Sequence, residues 1–140
     1  MDKYKSYLSL RVRYGETDRQ GHVYFANYPV YFDEASTNYM HAIGCSYSDL
    51  LAAGADTFYI HSECDYQGRV FFEEVLNIHT RVGRIGNSSI TFEFAAFKEQ
   101  TGEAVATGKI VAVCVDPQTR KPVRVPDHVR AAIARLEQPS

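Results

Sequence analysis

Apolar and polar residues alternate with a period of two near the start of the chain. In residues 7–14 every second side chain is apolar or aromatic. The residues on that face are Leu8, Leu10, Val12 and Tyr14. A period of two is typical of a strand with one buried face. The pattern therefore predicts a first strand over residues 7–14.

After Asn27 the apolar spacing lengthens to three or four residues, which places these side chains on one face of a helix. The residues concerned are Tyr28, Phe32, Ala35, Tyr39 and Ile43. Asn27 is a suitable N-cap, Pro29 is tolerated in a first turn, and Gly44 is a suitable terminator. We therefore predict a long helix that begins near Asn27 and ends before Gly44.

Most of the second half of the chain returns to alternation. The alternating segments are residues 57–66, 75–83, 89–98 and 104–115. Gly-containing turns between the later segments favour antiparallel hairpins. An amphipathic segment after Pro126 predicts a short C-terminal helix. The order predicts an α+β fold in which the long helix packs on an antiparallel sheet, with residues 1–140 forming a single domain.

Composition narrows the possible partners. The chain has 15 Lys and Arg against 17 Asp and Glu, and no long run of one sign. We therefore expect no nucleic acid as a main partner. No apolar run reaches the roughly 18 residues of a membrane span, and the N-terminus is too polar for a secretory signal. We expect a cytoplasmic protein without a disulfide framework, since its three cysteines are odd in number and widely spaced.

Common catalytic motifs are missing from the sequence. It has no nucleophile elbow, P-loop or dinucleotide-binding motif. The histidines form no pair at ligand spacing, so we expect no metal site. His41 and Cys45 have helical spacing, but Gly44 ends the helix between them. Cys64 and Cys114 lie in strand patterns, where cysteine commonly packs as a small apolar residue.

The strongest candidate site lies between the first strand and the helix, in "RYGETDRQGHVYFANYPVYFDEA" at residues 13–35. Asp18 is in the middle of a loop bracketed by Gly15 and Gly21. Aromatic residues follow, and the first backbone N–H groups of a helix have no partner within the helix. A carboxylate opposite such donors leaves a gap in which a carbonyl oxygen can be polarised. A solvated turn is the alternative for Asp18.

The same segment resembles the signature of hotdog-fold acyl-CoA thioesterases of the 4-hydroxybenzoyl-CoA thioesterase type, including the branch associated with the Tol-Pal system. In that family an Asp in a D/E-x-D-x-x-G loop precedes the central helix. The similarity continues through "VFFEEVLNIHTRV" and "ATGKIVAVCVDPQTRKPVRVP". It implies a long helix wrapped by a five- to six-stranded antiparallel sheet. It also implies no cofactor besides the coenzyme A of the substrate, and a homodimer or homotetramer with active sites at subunit interfaces.

The resemblance implies roles for single residues. Asp18 is the catalytic carboxylate, acting as a nucleophile or as a base that activates water. The backbone N–H of Phe25 polarises the thioester carbonyl, and Tyr24 is its close neighbour. His22 has an accessory role. Glu16 is expected to lie on the solvated side of the loop, since it is two residues from Asp18 in an extended segment.

Two further groups of residues are expected to contact the substrate. Coenzyme A phosphates need basic or N–H donors, which the family often presents in the turn that here reads "GRIGNSSI". The candidates in that turn are Arg84, Asn87 and Ser88, with Arg120 and Lys121 as a second possibility. The candidates for contact with the acyl group are Tyr14, Phe58, Tyr59 and His61. Tyr14 and Asn27 are also expected to fix the loop and cap the helix.

The predicted function is hydrolysis of a short-chain aliphatic or aromatic acyl-CoA to the free acid and CoA. Two alternatives remain open, namely a non-catalytic acyl-CoA-binding module and a hydratase or dehydratase of thioester-linked acyl chains. Hydration or dehydration needs a His opposite an acid, and His22 with Asp18 matches that arrangement only approximately. Glu34 is a rival catalytic carboxylate because another hotdog branch places its acid there, although the neighbouring Asp33 indicates an exposed surface.

Overall fold

The computed structural model describes residues 3–138, which form five strands, three α helices and two short 3₁₀ turns. In chain order the strands and α helices are β1 (Ser6–Arg11), α1 (Tyr28–Ala42), α2 (Tyr47–Ala52), β2 (Asp56–Tyr66), β3 (Val75–Ile85), β4 (Ser89–Lys98), β5 (Ala104–Val115) and α3 (Asp127–Glu137). The strands make one antiparallel sheet in the order β1-β3-β4-β5-β2. The predicted α+β class, the long helix and the short C-terminal helix are confirmed.

β1 is shorter than the predicted strand over 7–14. Val12 is fully buried, as the alternation requires, but the chain then turns into a 3₁₀ helix at Tyr14–Glu16. The Arg13 N–H donates to the Glu16 carboxylate at 2.8 Å, and the Thr17 N–H donates to the Tyr14 carbonyl at 3.1 Å. These local bonds replace the ladder bonds to β3, so the strand ends at Arg11.

α1 begins and ends close to the predicted positions. A 3₁₀ turn at Phe25–Asn27 leads directly into it, and Gly44 follows its last turn with a φ of 76°. Asn27 occupies the N-cap position, but its side chain makes no cap hydrogen bond. The Asn27 Nδ2 instead donates to the Glu16 carbonyl at 2.8 Å. Asn27 therefore ties the loop to the helix rather than capping it.

The sequence analysis did not predict α2. Its N-cap Ser46 accepts a hydrogen bond from the Asp49 N–H, and the Asp49 carboxylate accepts from the Ser46 N–H. This reciprocal arrangement is a capping box. The sequence signal, a Ser followed three residues later by an acid, was present in "SYSD".

α1 packs closely on the sheet at a glycine. The Phe32 ring is 1% exposed and stacks on Phe94 of β4, with ring centroids 4.6 Å apart. A Cβ atom at Gly108 of β5 would lie only 2.6 Å from the Phe32 ring. The lack of a side chain at Gly108 therefore lets the helix approach the sheet at this point.

β2 is an edge strand with a bulge. Tyr59 pairs with Ala112 and His61 with Val111, so Ile60 is one extra residue. Because successive side chains of a strand alternate between its faces, this residue shifts the alternation. The side chains paired with the buried, α1-facing residues of β5 are Thr57, Tyr59, Ser62, Cys64 and Tyr66. The helix-facing set is therefore odd-numbered before Ile60 and even-numbered after it.

Candidate functional site

The loop between β1 and α1 is folded back on itself. Isolated bridges join Thr17 to Val23 and His22 to Phe71. The Asp18 N–H donates to the His22 carbonyl at 2.9 Å, and the Gly21 N–H donates to the Asp18 carbonyl at 2.9 Å. Gly21 has a φ of 88°, a conformation that favours glycine. The loop therefore fixes the backbone of Asp18 at the start of a tight turn.

The Asp18 carboxylate keeps free acceptor capacity. Its Oδ1 accepts one hydrogen bond, from the Gln20 N–H at 2.8 Å, and its side chain is 24% exposed. Its Oδ2 lies 3.7 Å from the Nδ1 of His22, which is beyond hydrogen-bond distance. His22 Nδ1 lies 3.1 Å from the Val23 carbonyl, to which it donates in the tautomer that carries the ring hydrogen on Nδ1. Asp18 is therefore open to a water molecule or a substrate atom.

The start of α1 offers an unpaired donor. The Tyr24 N–H donates to the Glu16 carbonyl and the Asn27 N–H to the Tyr24 carbonyl, both at 2.9 Å. The Phe25 N–H has no acceptor within residues 3–138. The Tyr24 and Phe25 rings, which meet edge to face at 5.0 Å, are both exposed. A fixed, unpaired N–H of this kind is suited to polarise a carbonyl oxygen.

The Glu16 side chain was expected to be solvated, and that prediction was wrong. Its side chain is only 15% exposed, and it accepts hydrogen bonds from the Arg13 guanidinium at 2.6 and 3.0 Å and from the Tyr31 hydroxyl at 3.0 Å. Burial acts to raise the pKa of Glu16, but the hydrogen bonds from Arg13 and Tyr31 outweigh burial and lower it. The prediction assumed an extended segment, whereas the 3₁₀ turn at Tyr14–Glu16 rotates the side chain towards α1.

Glu16 also joins the two candidate catalytic groups. Its carbonyl accepts from the Tyr24 N–H, immediately before Phe25, and from the Asn27 side chain. Its carboxylate binds α1 through Tyr31, and Asp18 follows two residues later. Glu16 is therefore a positioning residue for the loop, a role that a periodicity argument did not reveal.

A groove runs between α1 and β2, which lie antiparallel side by side. At its first end the Tyr66 hydroxyl donates to the Phe25 carbonyl at 3.4 Å, in a cleft that includes His22, Tyr28 and Arg69. A second, open depression lies further along α1, between Val30 and Asp33 of α1 and Tyr59 and Ser62 of β2. We call the two depressions together the groove. Tyr28 was predicted at the start of the helix. Tyr66 and Arg69 were not predicted from the sequence, because their proximity to the loop depends on the bulge and on the β2–β3 connection.

Tyr59 lies at the far end of this groove. Its hydroxyl donates to Asp33 Oδ1 at 2.6 Å and lies 3.2 Å from Ser36 Oγ. Burial, followed by the hydrogen bond to Asp33, raises the pKa of Tyr59 to about 12. The hydroxyl therefore stays protonated at neutral pH and holds the ring against α1.

Of the other predicted acyl contacts, His61 also borders the groove, whereas Phe58 and Tyr14 lie elsewhere in the protomer. Phe58 pairs with Val113 on the face away from α1, where the Arg120 guanidinium lies 5.9 Å from its ring centroid. His61 pairs with Val111 on that same face and contacts Glu63 at 2.9 Å. Tyr14 is 77% exposed and meets Phe72 edge to face. Of the four candidates, only Tyr59 is on the α1-facing side of β2.

The predicted coenzyme A contacts lie at the opposite end of the sheet from Asp18. The loop containing Asp18 adjoins the start of β3, since the Val12 N–H donates to the Glu74 carbonyl. Arg84 follows Glu74 by ten residues, which is about 33 Å along a strand, and Asn87 and Ser88 lie in the turn beyond it. Arg84, Asn87 and Ser88 therefore cannot bind the same coenzyme A as Asp18 of their own protomer without spanning the whole sheet.

Several of these candidates already have partners in the structure. The Asn87 carbonyl accepts from the Arg130 guanidinium at 2.8 Å, and the Ser88 carbonyl accepts from the Cys114 N–H at 2.7 Å. Arg120 donates to Asp56 Oδ2 at 3.0 Å. Arg84 and Lys121 are exposed.

The rival carboxylate Glu34 lies on the other side of α1. It is exposed and borders a surface cleft with Arg11, Arg13 and Glu16, next to β1. Its neighbour Asp33 faces β2. Within residues 3–138 all three cysteines are free thiols, and no three His, Cys, Asp or Glu side chains are arranged to hold a metal ion. No helix in that range has the length and apolar character needed to cross a membrane.

The chain matches the family described as the thioesterase-like superfamily over residues 12–133, and it belongs to that family. It is 30% identical to the acyl-CoA thioesterase YbgC of Haemophilus influenzae, covering 91% of this chain and 93% of that one. It is 31% identical to a 1,4-dihydroxy-2-naphthoyl-CoA hydrolase of Gloeothece citriformis, with 89% of each covered. The crystal structure of the PA5185 protein from Pseudomonas aeruginosa superposes with a TM-score of 0.86 at 32% identity, over 96% of this chain and 93% of that one.

These comparisons confirm two expectations. The fold is the hotdog fold, with α1 packed on the five-stranded sheet. The protein is a thioester hydrolase of the thioesterase-like superfamily.

Proposed function

We propose that this protein hydrolyses a short-chain aliphatic or aromatic acyl-CoA, using Asp18 and the Phe25 N–H as its catalytic groups. The observation that carries the proposal is that an accessible carboxylate and an unpaired helix N–H lie on the same short segment. Glu16 hydrogen-bonds both to this segment and to α1. The relatives named for acyl-CoA and for an aromatic acyl-CoA support this substrate range. We further propose the 4-hydroxybenzoyl-CoA thioesterase type, in the branch associated with the Tol-Pal system.

The chemistry follows from these two groups. The thioester carbonyl accepts a hydrogen bond from the Phe25 N–H, which stabilises negative charge on oxygen as the tetrahedral intermediate forms. Asp18 takes a proton from a water molecule that attacks the carbonyl carbon. The C–S bond then breaks, and the proton passes to the coenzyme A thiolate. In the second route the Asp18 carboxylate attacks the carbonyl carbon, and the C–S bond breaks to release coenzyme A thiolate. Water then hydrolyses the mixed anhydride, which restores the Asp18 carboxylate, releases the acid and supplies the proton that the thiolate takes up.

A second copy of the chain is proposed to complete the site. β2 is an open edge, and its Ile60 is 60% exposed beside Val30 of α1, which is 61% exposed. Antiparallel pairing of two β2 edges would cover these residues and satisfy the free edge. The same pairing would bring the turn at residues 84–88 of the partner towards Asp18 of the first copy. The predicted coenzyme A contacts then come from the partner.

The remaining parts of the proposal concern the setting of the enzyme. Residues 1–140 act as a single cytoplasmic domain, as a homodimer or homotetramer. Coenzyme A enters as part of the substrate, and the reaction needs no separate cofactor. Nucleic acid is not a partner.

The test is thiol release from acetyl-, butyryl-, hexanoyl-, palmitoyl-, benzoyl- and hydroxybenzoyl-CoA by the wild type, Asp18→Asn and Glu34→Gln. We expect the wild type to cleave short or aromatic members, and Asp18→Asn to lose roughly 10²–10⁴-fold in kcat, the contribution of a general base. Glu34→Gln serves as the matched control and should keep its activity, while coenzyme A binding by Asp18→Asn should persist in calorimetry.

Three outcomes would contradict the proposal. An Asp18→Asn variant as active as the wild type would remove Asp18 from the reaction. Loss of activity in Glu34→Gln alone would move the reaction to the β1 side of α1. Binding of every thioester without cleavage would leave an acyl-CoA-binding module.

A further inference from the structure

A cavity that is partly open to solvent lies behind Tyr59. It measures about 80 Å³ and lies between α1, α2 and the sheet. Its lining includes the buried apolar residues Met40, Leu50, Ile90, Phe92 and Ala112 and the exposed Tyr47. Most of its surface is apolar, so it is suited to a hydrocarbon chain.

Tyr59 separates this cavity from the groove that begins at Phe25. The residue borders both spaces, and it is held across the boundary by its hydroxyl contacts with Asp33 and Ser36. The groove from Phe25 to Asp33 spans eight helical residues, or about 12 Å, which is roughly the length of an extended ten-carbon acyl chain. A longer chain attached to a carbonyl at the Phe25 N–H and following α1 would therefore meet the Tyr59 ring.

We propose that Tyr59 sets the maximum acyl length of the substrate by ending the groove and separating it from the cavity behind it. The proposal rests on the proposed thioesterase function and names the feature that excludes acyl chains longer than about ten carbons. The occupant of the opened cavity is the distal end of a longer aliphatic acyl chain, because its walls are mainly hydrocarbon. The hydrogen bonds to α1 keep the ring from turning aside.

The test compares kcat/KM for octanoyl-, decanoyl-, dodecanoyl- and tetradecanoyl-CoA in the wild type and Tyr59→Ala. Each buried methylene contributes about fourfold in binding, so two additional methylenes in the cavity should raise the dodecanoyl-to-octanoyl ratio at least about tenfold. Tyr59→Phe keeps the ring but loses both hydroxyl contacts, and should shift the ratio in the same direction by a smaller factor. Tyr7→Ala, an exposed tyrosine on the opposite edge strand, is the control and should leave the ratio unchanged.

A second substitution tests the cavity itself. Thr57→Leu places additional carbon atoms in the space behind Tyr59, so it should reverse the gain when combined with Tyr59→Ala. An unchanged ratio in Tyr59→Ala, or an undiminished ratio in the double variant, would overturn the proposal. If Tyr59→Ala does not fold, the ratio in Tyr59→Phe decides, and no shift there would overturn the proposal equally.

Failure of the proposed function is recognised separately. If the wild type cleaves none of these thioesters, calorimetry with the uncleavable thioethers S-octyl-CoA and S-dodecyl-CoA replaces the kinetic ratio. Tighter binding of S-dodecyl-CoA by Tyr59→Ala, with S-octyl-CoA unchanged, would support the length limit without hydrolysis. Equal selectivity of the wild type and the variant would overturn it.

Discussion

Each side of α1 has a tyrosine that donates to a carboxylate, but the two pairs differ in their surroundings. On the side facing β1, which we call the closed side, Tyr31 donates to Glu16, and Arg13 binds the same carboxylate. On the side facing β2, the open side, Tyr59 donates to Asp33, and the described residues provide no basic partner for that carboxylate. One side is complete within a single protomer, and the other borders the groove, the cavity and the free sheet edge.

The difference indicates how a small fold can combine a rigid loop with an adaptable binding surface. The closed side fixes the 13–27 segment, on which Asp18 and Phe25 both lie. The open side contains side chains that substrate and a second copy can contact. The predictions below test this division of roles.

The largest expected effect concerns association through the open side. Ile60→Asp would bury an unpaired carboxylate where two β2 edges meet, which costs about 3 kcal/mol or more and weakens the dimer at least about a hundredfold. Analytical ultracentrifugation measures the dissociation constant. Tyr7→Asp, at an exposed position on β1, is the matched control and should leave the dimer intact. Equal dissociation of both variants would show that β2 is not the specific interface.

The next effect concerns stability on the closed side. Glu16→Ala leaves the Arg13 N–H, the Arg13 guanidinium and the Tyr31 hydroxyl without their acceptor, so we expect a loss of about 2–3 kcal/mol in the free energy of unfolding. Asp33→Ala removes the corresponding acceptor on the open side and should cost under about 1 kcal/mol, because its surroundings are exposed. Urea unfolding measures both values. If Asp33→Ala lost more free energy of unfolding than Glu16→Ala, the open side and not the closed side would be the more important one for stability.

The smallest effect is a pH dependence of opposite sign on the two sides. The folded-state pKa of Glu16 lies below its ordinary value of 4.5, so its contribution is present above that pH and is lost as pH falls through the folded pKa. The pKa of Tyr59 is raised from 10.0 to about 12, so its contribution is present below pH 10.0 and is lost as pH rises through about 12.

Unfolding curves of Glu16→Gln and Tyr59→Phe against the wild type measure these contributions. The Glu16→Gln difference should shrink on the acid side, and the Tyr59→Phe difference on the alkaline side. Differences that do not change with pH would mean that neither group titrates differently on folding.

The sequence predicted the regular elements because their periodicity is strong. The alternation at Ile90, Phe92 and Phe94 placed three core residues correctly, and the spacing from Tyr28 to Ile43 placed α1. The predictions failed where local hydrogen bonds replaced a regular pattern. Glu16 was assigned to solvent because its 3₁₀ turn depends on bonds to Arg13 and Tyr31, and Tyr31 is fifteen residues away.

The candidate site was predictable in part. Asp18 and Phe25 lie on one short segment with a recognisable pattern, so the sequence brought them to attention together. Tyr66 and Arg69 reach the Phe25 end of the groove only through the pairing of β2 with β5 and the bulge within β2. A bulge depends on the partner strand, and a single strand's periodicity contains no record of it.

The extra residue at Ile60 gives β2 two halves with opposite parity. Before it, odd-numbered positions face α1, and after it, even-numbered positions do. The odd-numbered positions Thr57 and Tyr59 therefore correspond to the even-numbered positions Ser62 and Cys64, and substitutions at either pair change the surface that faces α1. Removing Ile60 would make the strand regular and leave every other side chain on the face that it now occupies. Losing the bulge with Ile60 retained would instead exchange the inner and outer surfaces of one half.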